Sequence, residues 1–232
     1  LSTVLMLGFI LPLARTEPAG GIEKGDVSFS LVKVASDALK VPSYLLLVFG
    51  FYVCGFHLAF ITVHMPVYLA DIGFSASVGA VSISVIGLFN IFGAYYAGIF
   101  SDRAQMSRIL VIIYVARAIV ISLFLILPKS IVSVLVFSAL IGLLWLATVP
   151  PTSGLVAKFF GTRYMTYLYG IVFFSHQVGS FTGVWLGGEL YQRFGNYDGV
   201  WIAGILLGFM AALLHFYIDE QSYEYKISTT IS

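Results

Sequence analysis

Charge is what this sequence has least of. Only 10% of its 232 residues are Asp, Glu, Lys or Arg, against about 25% in soluble domains. A disordered chain is polar and charge-rich, so the same scarcity excludes disorder. The twelve Lys and Arg residues form no run, so no basic stripe is offered to nucleic acid. There is one cysteine, Cys54. That excludes a disulfide framework within the chain and any multi-cysteine metal site. No zinc-protease, nucleophile-elbow, dinucleotide-binding or P-loop pattern occurs. The sequence therefore calls for no catalytic residue, no metal ligand and no cofactor, and ATP-driven pumping by this chain is disfavoured. A membrane enzyme lacking a known motif stays an alternative, as does a non-transporting receptor or scaffold.

What is abundant is grease. Hydrophobic residues make up 59% of the chain, against roughly 45–50% in soluble domains, and mean hydropathy is +0.98. A soluble protein of this length could not hide that surface, so the surrounding solvent is expected to be lipid. Six apolar segments run over Ser43–Leu69, Ser77–Phe100, Ile109–Leu127, Ile131–Val156, Met165–Leu190 and Gly199–Ile218. Each is long enough to cross a bilayer as a helix. None alternates in polarity as a barrel strand does. Lipid requires backbone groups to be paired within the segment, which predicts an all-α, polytopic bundle of six transmembrane helices.

Short polar links join these segments and make neighbours antiparallel. The opening stretch, Leu1–Leu13, reaches only about 20 Å as a helix and reads as the end of a truncated span rather than a signal peptide. Ala14–Pro42 reads as an inter-half linker. Within it, Phe29–Lys40 carries Leu31, Val34, Ala35, Ala38 and Leu39 at helical spacing, which suits a helix on the membrane surface or a solvated linker equally well. The remaining division is 43–220 for the six-helix unit and 221–232 for a tail. Arg15, Lys24, Lys33, Lys40, Arg103, Arg108, Lys158, Arg163 and Lys226 fall on one side, and only Lys129 and Arg193 on the other. The excess puts the linker and the C-terminus in the cytoplasm.

Polar side chains inside the apolar segments carry the functional signal, because burying them in lipid is costly. Arg117 sits about 12 Å from the cytoplasmic end of its segment. It is either a helix-packing or snorkelling cation or a positive charge that attracts an anionic solute. His57 and His64 lie two turns apart on one face; they are proton carriers or interhelical hydrogen bonders. Asn90, His176 and Gln177 fall at similar depth and complete a set of candidates for solute binding or proton coupling, although each could equally bond across helices. Ser175, Gly179, Gly183 and Gly187 recur every four residues, a stripe for close helix packing. Pro66, Pro150 and Pro151 interrupt apolar segments and are hinge candidates. Gly98-Ile-Phe-Ser-Asp-Arg103 closes the second full segment and Gly188-Glu-Leu-Tyr-Gln-Arg193 the fifth. Their opposite sidedness is what two inverted triplets of helices would produce.

The stretch Gly98–Arg103, with Asp102 and Arg103 at its end, resembles the loop motif of the major facilitator superfamily. Arg108 is the one basic residue that follows it, so the motif is degenerate. Phe56-His-Leu-Ala-Phe-Ile-Thr-Val-His-Met-Pro66, Leu143–Gly154 and Gly170–Ser180 look like the bacterial monocarboxylate and oxalate/formate branch. The resemblance covers roughly residues 43–220. It implies the C-terminal six-helix half of a twelve-helix carrier in a cell membrane, the bacterial inner membrane by the branch. Such a carrier moves a small solute, an organic anion such as a monocarboxylate, by alternating access as a symporter or antiporter. Its partners would be the lipid bilayer, the solute and the missing N-terminal half, with no nucleic acid. By the resemblance, Gly98, Asp102 and Arg103 would govern the conformational switch. In that branch the substrate-binding cation commonly lies on the eighth or eleventh helix; here the buried arginine falls on the ninth, and the eleventh carries His176.

Overall fold

The structure, a computed structural model, describes residues 27–223, and every regular element among them is a helix. In chain order these are α1 (Val27–Ala38), α2 (Pro42–Asp71), α3 (Ala76–Ser101), α4 (Met106–Ile126), α5 (Ile131–Leu144), α6 (Val149–Phe160), α7 (Thr162–Phe194) and α8 (Asp198–Phe216). The expectations for Leu1–Leu13, for residues 14–26 and for the tail from residue 224 fall outside the described residues.

Five rods are long and apolar enough to cross a membrane: α2, α3, α4, the α5–α6 pair taken together, and α8. The sequence suggested six. The sixth, α7, is long enough but less apolar, since it carries Ser175, His176, Gln177, Ser180, Thr182 and repeated glycines. It nevertheless lies parallel to α2 along most of its length. Tyr44 donates to Leu168 O at one end (2.8 Å), and His64 donates to Val184 O towards the other (3.0 Å). Together these rods form a polytopic membrane bundle.

The packing repeats with inversion. In the triplet α2–α3–α4 the first helix packs on α7, the second member of the following triplet; the second helix, α3, packs on α5–α6, that triplet's first member. α4 and α8, the third members, pack on each other. The two triplets enter from opposite ends of the bundle, as inverted repeats do.

Close approach explains the small residues. A Cβ at Gly179 would lie 2.0 Å from Tyr52 O, and one at Gly183 2.5 Å from Phe56 O. At Gly187 a Cβ would meet the ring of His64, and on the facing helix one at Gly55 would meet His176 O. The first member of the stripe, Ser175, donates to Val48 O at 2.7 Å. Backbones in contact gain dispersion that lipid cannot supply, which is how small residues hold membrane helices together.

Several boundaries differ from the sequence reading, each for a local reason. The short polar link between the segments ending at Val156 and starting at Met165 is not a loop. Instead α6 runs to Phe160 and α7 starts at Thr162, because Gly161 at φ 75° turns the chain in one residue. The surface segment resolves as helix α1, whose Val34 and Ala38 enter the apolar cluster of Tyr44, Leu155, Phe159 and Phe160 while Val32 stays exposed. At the start of α5, Ser130 and Ser133 exchange side-chain and backbone hydrogen bonds (3.1 and 2.8 Å), a capping box that fixes the turn after Pro128. Pro66 does not end its helix; α2 continues to Asp71, and the ring packs against Gly79 of α3.

The largest departure is in Ile131–Val156, read from sequence as one span. The helix stops at Leu144 and restarts at Val149. Pro150 and Pro151 have no N–H, so neither can donate to the carbonyls of Leu146 and Ala147 four residues back. The chain turns tightly instead: Trp145 N–H bonds Gly142 O and Val149 N–H bonds Leu146 O, both at 3.0 Å.

Candidate functional site

That interruption is where the polar candidates gather. Arg117 on α4 is 2% exposed. Its Nε donates to Leu144 O at 3.1 Å, and its Nη2 donates to Leu144 O and Trp145 O. The guanidinium thus caps the carboxyl end of α5, where the helix dipole places negative charge. Asn90 on α3 accepts the Leu146 N–H at 2.9 Å. Cys54 on α2 lies 3.3 Å from Thr148 Oγ1, and Arg117 Nη1 approaches its sulfur at 3.5 Å. Each helix of the first triplet therefore contributes one side chain to the break in the second. Tyr114 adds its ring face 5.4 Å from the guanidinium carbon.

The histidines divide. His57 is buried, donates from Nε2 to Gly204 O of α8 (2.7 Å) and lies within electrostatic reach of Arg117. Its Nδ1 has no hydrogen-bond partner among the described residues. His64 bridges α2 to α7 through Val184 O and approaches Tyr197 Oη at 3.4 Å. His176 borders Cys54 and stacks on Phe173, with ring centroids 5.3 Å apart. Its neighbour Gln177 is on the exposed face of α7. Arg117 and Asn90 thus bond the break itself; His57 is linked to it through Arg117 and His176 through Cys54, whereas His64 and Gln177 contact no residue of the break.

The loop residues Asp102 and Arg103 are exposed, and their side chains make no hydrogen bond or ion pair among the described residues; nothing lies within 4 Å of a Cβ placed at Gly98. Beyond the candidates, sequence reasoning passed over three groups. Cys54 and Thr148 form the third contact at the break, and no sequence pattern marks that pairing. His215 on α8 is buried, donates to Ala211 O (2.7 Å) and stacks on Tyr114 with centroids 4.9 Å apart. The single available clue to His215 was a histidine near the end of the last apolar segment.

A second polar cluster closes the end of the bundle that holds the α3–α4 link. Glu220, just past α8, accepts from Ser107 N and Oγ at the start of α4 and from Lys158 Nζ in the last turn of α6, all at 2.8 Å. Tyr223 N–H bonds Phe159 O, and Asp219 N–H bonds Ser43 Oγ. A cleft of about 370 Å³ lies beside it, bordered by Arg108, Phe216 and Asp219.

The model of the Major Facilitator Superfamily matches residues 1–184, from the start of the sequence into α7. The chain belongs to the Major Facilitator Superfamily. Among curated proteins none matches it. Membership supports a secondary transporter, and the inverted packing of its two triplets is an architecture on which such carriers are built. In a facilitator protein an interrupted helix with side-chain-capped ends has a precedent in physics. Non-helical backbone survives at membrane depth only where protein groups satisfy it.

Proposed function

We propose that the chain is the C-terminal six-helix half of a secondary carrier for small organic anions, monocarboxylates among them, working by alternating access with a six-helix partner half of the same protein. One observation carries the preference for anions. Among the described residues Arg117 is the one charged side chain at mid-depth in the bundle, and no carboxylate pairs with it. Its neighbours there are carbonyls, a thiol and an aromatic ring. An interior with a net positive charge repels cations and attracts anions. The acidic residues Asp71, Asp102, Glu189, Asp198 and Glu220 all lie at or near helix ends.

Alternating access then rocks the two halves around this region. His57, with a spare ring nitrogen, is the group suited to proton coupling; His176, at the edge of the same region, is the second. The excess of Lys and Arg favours a cytoplasmic side for the Glu220 cluster and the C-terminus, and a bacterial inner membrane suits the family branch that the sequence resembles. Uptake of labelled lactate, formate and oxalate into proteoliposomes holding the full-length carrier tests the reading, with and without a pH gradient. Saturable uptake or exchange is expected, accelerated by acid outside if protons are coupled. Absence of both for every small anion tried would remove the anion assignment.

A further inference from the structure

We infer that the cleft at the seam of α4 and α8 binds the headgroup of a zwitterionic phospholipid, with Arg108 on its phosphate and Asp219 on its ammonium. The cleft, about 370 Å³, falls at the small end of ligand sites, roughly 300–1,000 Å³. Four charged side chains line it. Lys158 and Glu220 neutralise each other at 2.8 Å. Arg108 and Asp219 are exposed, and neither side chain makes a hydrogen bond or ion pair among the described residues. One open cation and one open anion thus face a space whose lining has no net charge. A simple anion would bind Arg108 but meet Asp219, and a simple cation the reverse. A ligand that carries both charges a few bonds apart satisfies each. The Arg108 guanidinium lies over the Phe216 ring, 4.7 Å from its centroid. That contact steadies the fork and leaves its N–H groups for two phosphate oxygens. Gln105 and Gln221 border the same space and add amide donors.

Position favours a lipid over a soluble phosphate. Arg108 is in the first turn of α4 and Phe216 is the last residue of α8, and both helices are long and apolar enough to span. The cleft therefore lies where hydrocarbon meets water. The surface leading away from it is apolar. Ile112 is one turn from Arg108 on α4, and Leu213 and Phe209 follow Phe216 back along its face of α8; all three are exposed. Because Arg108 reaches over Phe216, these two faces continue on one side of the bundle as a strip where acyl chains can lie. Tyr217, exposed beside Phe216, is an aromatic of the kind that sits at headgroup level. A free phosphate would use the cleft and leave the strip bare. Among zwitterionic lipids phosphatidylethanolamine fits best, since its primary ammonium donates N–H bonds to a carboxylate and the quaternary ammonium of phosphatidylcholine has none to donate. Phosphatidylglycerol has no cation for Asp219.

The inference does not depend on the solute, so failure of anion uptake leaves it standing. The full-length carrier, stripped of lipid in detergent, is titrated with the three phospholipids carrying identical acyl chains and with water-soluble phosphoethanolamine, and bound ligand is counted by native mass spectrometry. Phosphatidylethanolamine should bind tightest and phosphoethanolamine far more weakly. Asp219→Asn should weaken phosphatidylethanolamine about tenfold, the worth of one hydrogen bond to a charged group, without weakening phosphatidylglycerol. Its fold should survive, because the Asp219 backbone N–H, not the side chain, bonds Ser43. Arg108→Gln should weaken all three lipids, whereas Arg163→Gln, at an exposed arginine opening α7, should weaken none. Equal phosphatidylethanolamine affinity in the parent and both cleft variants overturns the site. Phosphatidylglycerol binding as tightly as phosphatidylethanolamine overturns the zwitterionic assignment, and phosphoethanolamine matching the lipids makes the ligand a soluble one and overturns the lipid.

Discussion

Arg117 on α4 donates to the carbonyl oxygen of Leu144, the last residue of α5, across 3.1 Å. This bond joins the first triplet of helices to the break in the second. Truncating Arg117 to Ala strands the carbonyls of Leu144 and Trp145 in an apolar interior. Each stranded group costs about 1–3 kcal/mol. Arg117→Ala should therefore lower the thermal midpoint in detergent by several degrees, whereas Gln177→Ala on the exposed face of α7 should leave it unchanged. Equal midpoints for parent and Arg117→Ala would show that the capping bonds contribute nothing.

The sequence announced the membrane and most of the rods, because a long apolar run in lipid has helix as its one open-ended solution. It also exposed Arg117 and Asn90 as polar groups in the wrong solvent. It did not reveal what they do. The two prolines were legible as a bend, but whether a helix bends or stops depends on what can satisfy the carbonyls of Leu144 and Trp145, left open where it stops. That partner is Arg117, some thirty residues away in the chain. Likewise Gly161 was hidden inside a polar stretch that looked like a loop, since its positive φ is a property of the packed chain. α7 was recognisable as a span by its length, yet its polar residues were balanced by α2 in a way only contacts show.

Two glycines on α7 should behave oppositely. A Cβ at Gly179 would sit 2.0 Å from Tyr52 O, a backbone atom that cannot step aside, whereas nothing lies within 4 Å of one at Gly188. Gly179→Ala should separate α2 from α7 and reduce the monodisperse yield after detergent extraction. Gly188→Ala should keep or improve it, since alanine is the better helix former. Size-exclusion profiles of the two variants decide the matter, and indistinguishable profiles would count against backbone contact at Gly179.

Glu220 should give the bundle a pH-dependent contribution. Partial burial pushes its carboxyl up, but hydrogen bonds from Lys158 and from the N–H and hydroxyl of Ser107 outweigh that and hold it below the usual carboxylate range. The side chain is 11% exposed, so the ion pair is only partly screened. A depressed pKa in the folded state stabilises above the ordinary carboxylate value, and the contribution fades as pH falls through the folded value. The parent's thermal midpoint should be flat near neutrality and drop in the acid range. In Glu220→Gln it should start lower and lose part of that drop. Parallel pH curves for the two proteins would dissociate Glu220 from acid sensitivity.

The prolines make the last test. Pro150 and Pro151 withhold the two N–H groups that would carry α5 straight into α6, and their rings oppose a continuous helix. Replacing both with alanine restores the donors. Leu146 and Ala147 carbonyls then gain helical partners, and the peptide Leu143–Thr152 should exchange its amide hydrogens more slowly than in the parent. Arg117, in turn, loses the open carbonyls it caps and is left with Cys54 and Tyr114 as company. The double variant should thus be stiffer at the break but not more stable overall, because the cost of an uncapped buried cation offsets the added backbone bonds. Hydrogen–deuterium exchange across that peptide, read beside the thermal midpoint, separates the two effects. Faster exchange at the break in the double variant would mean that the prolines are not what interrupts the helix.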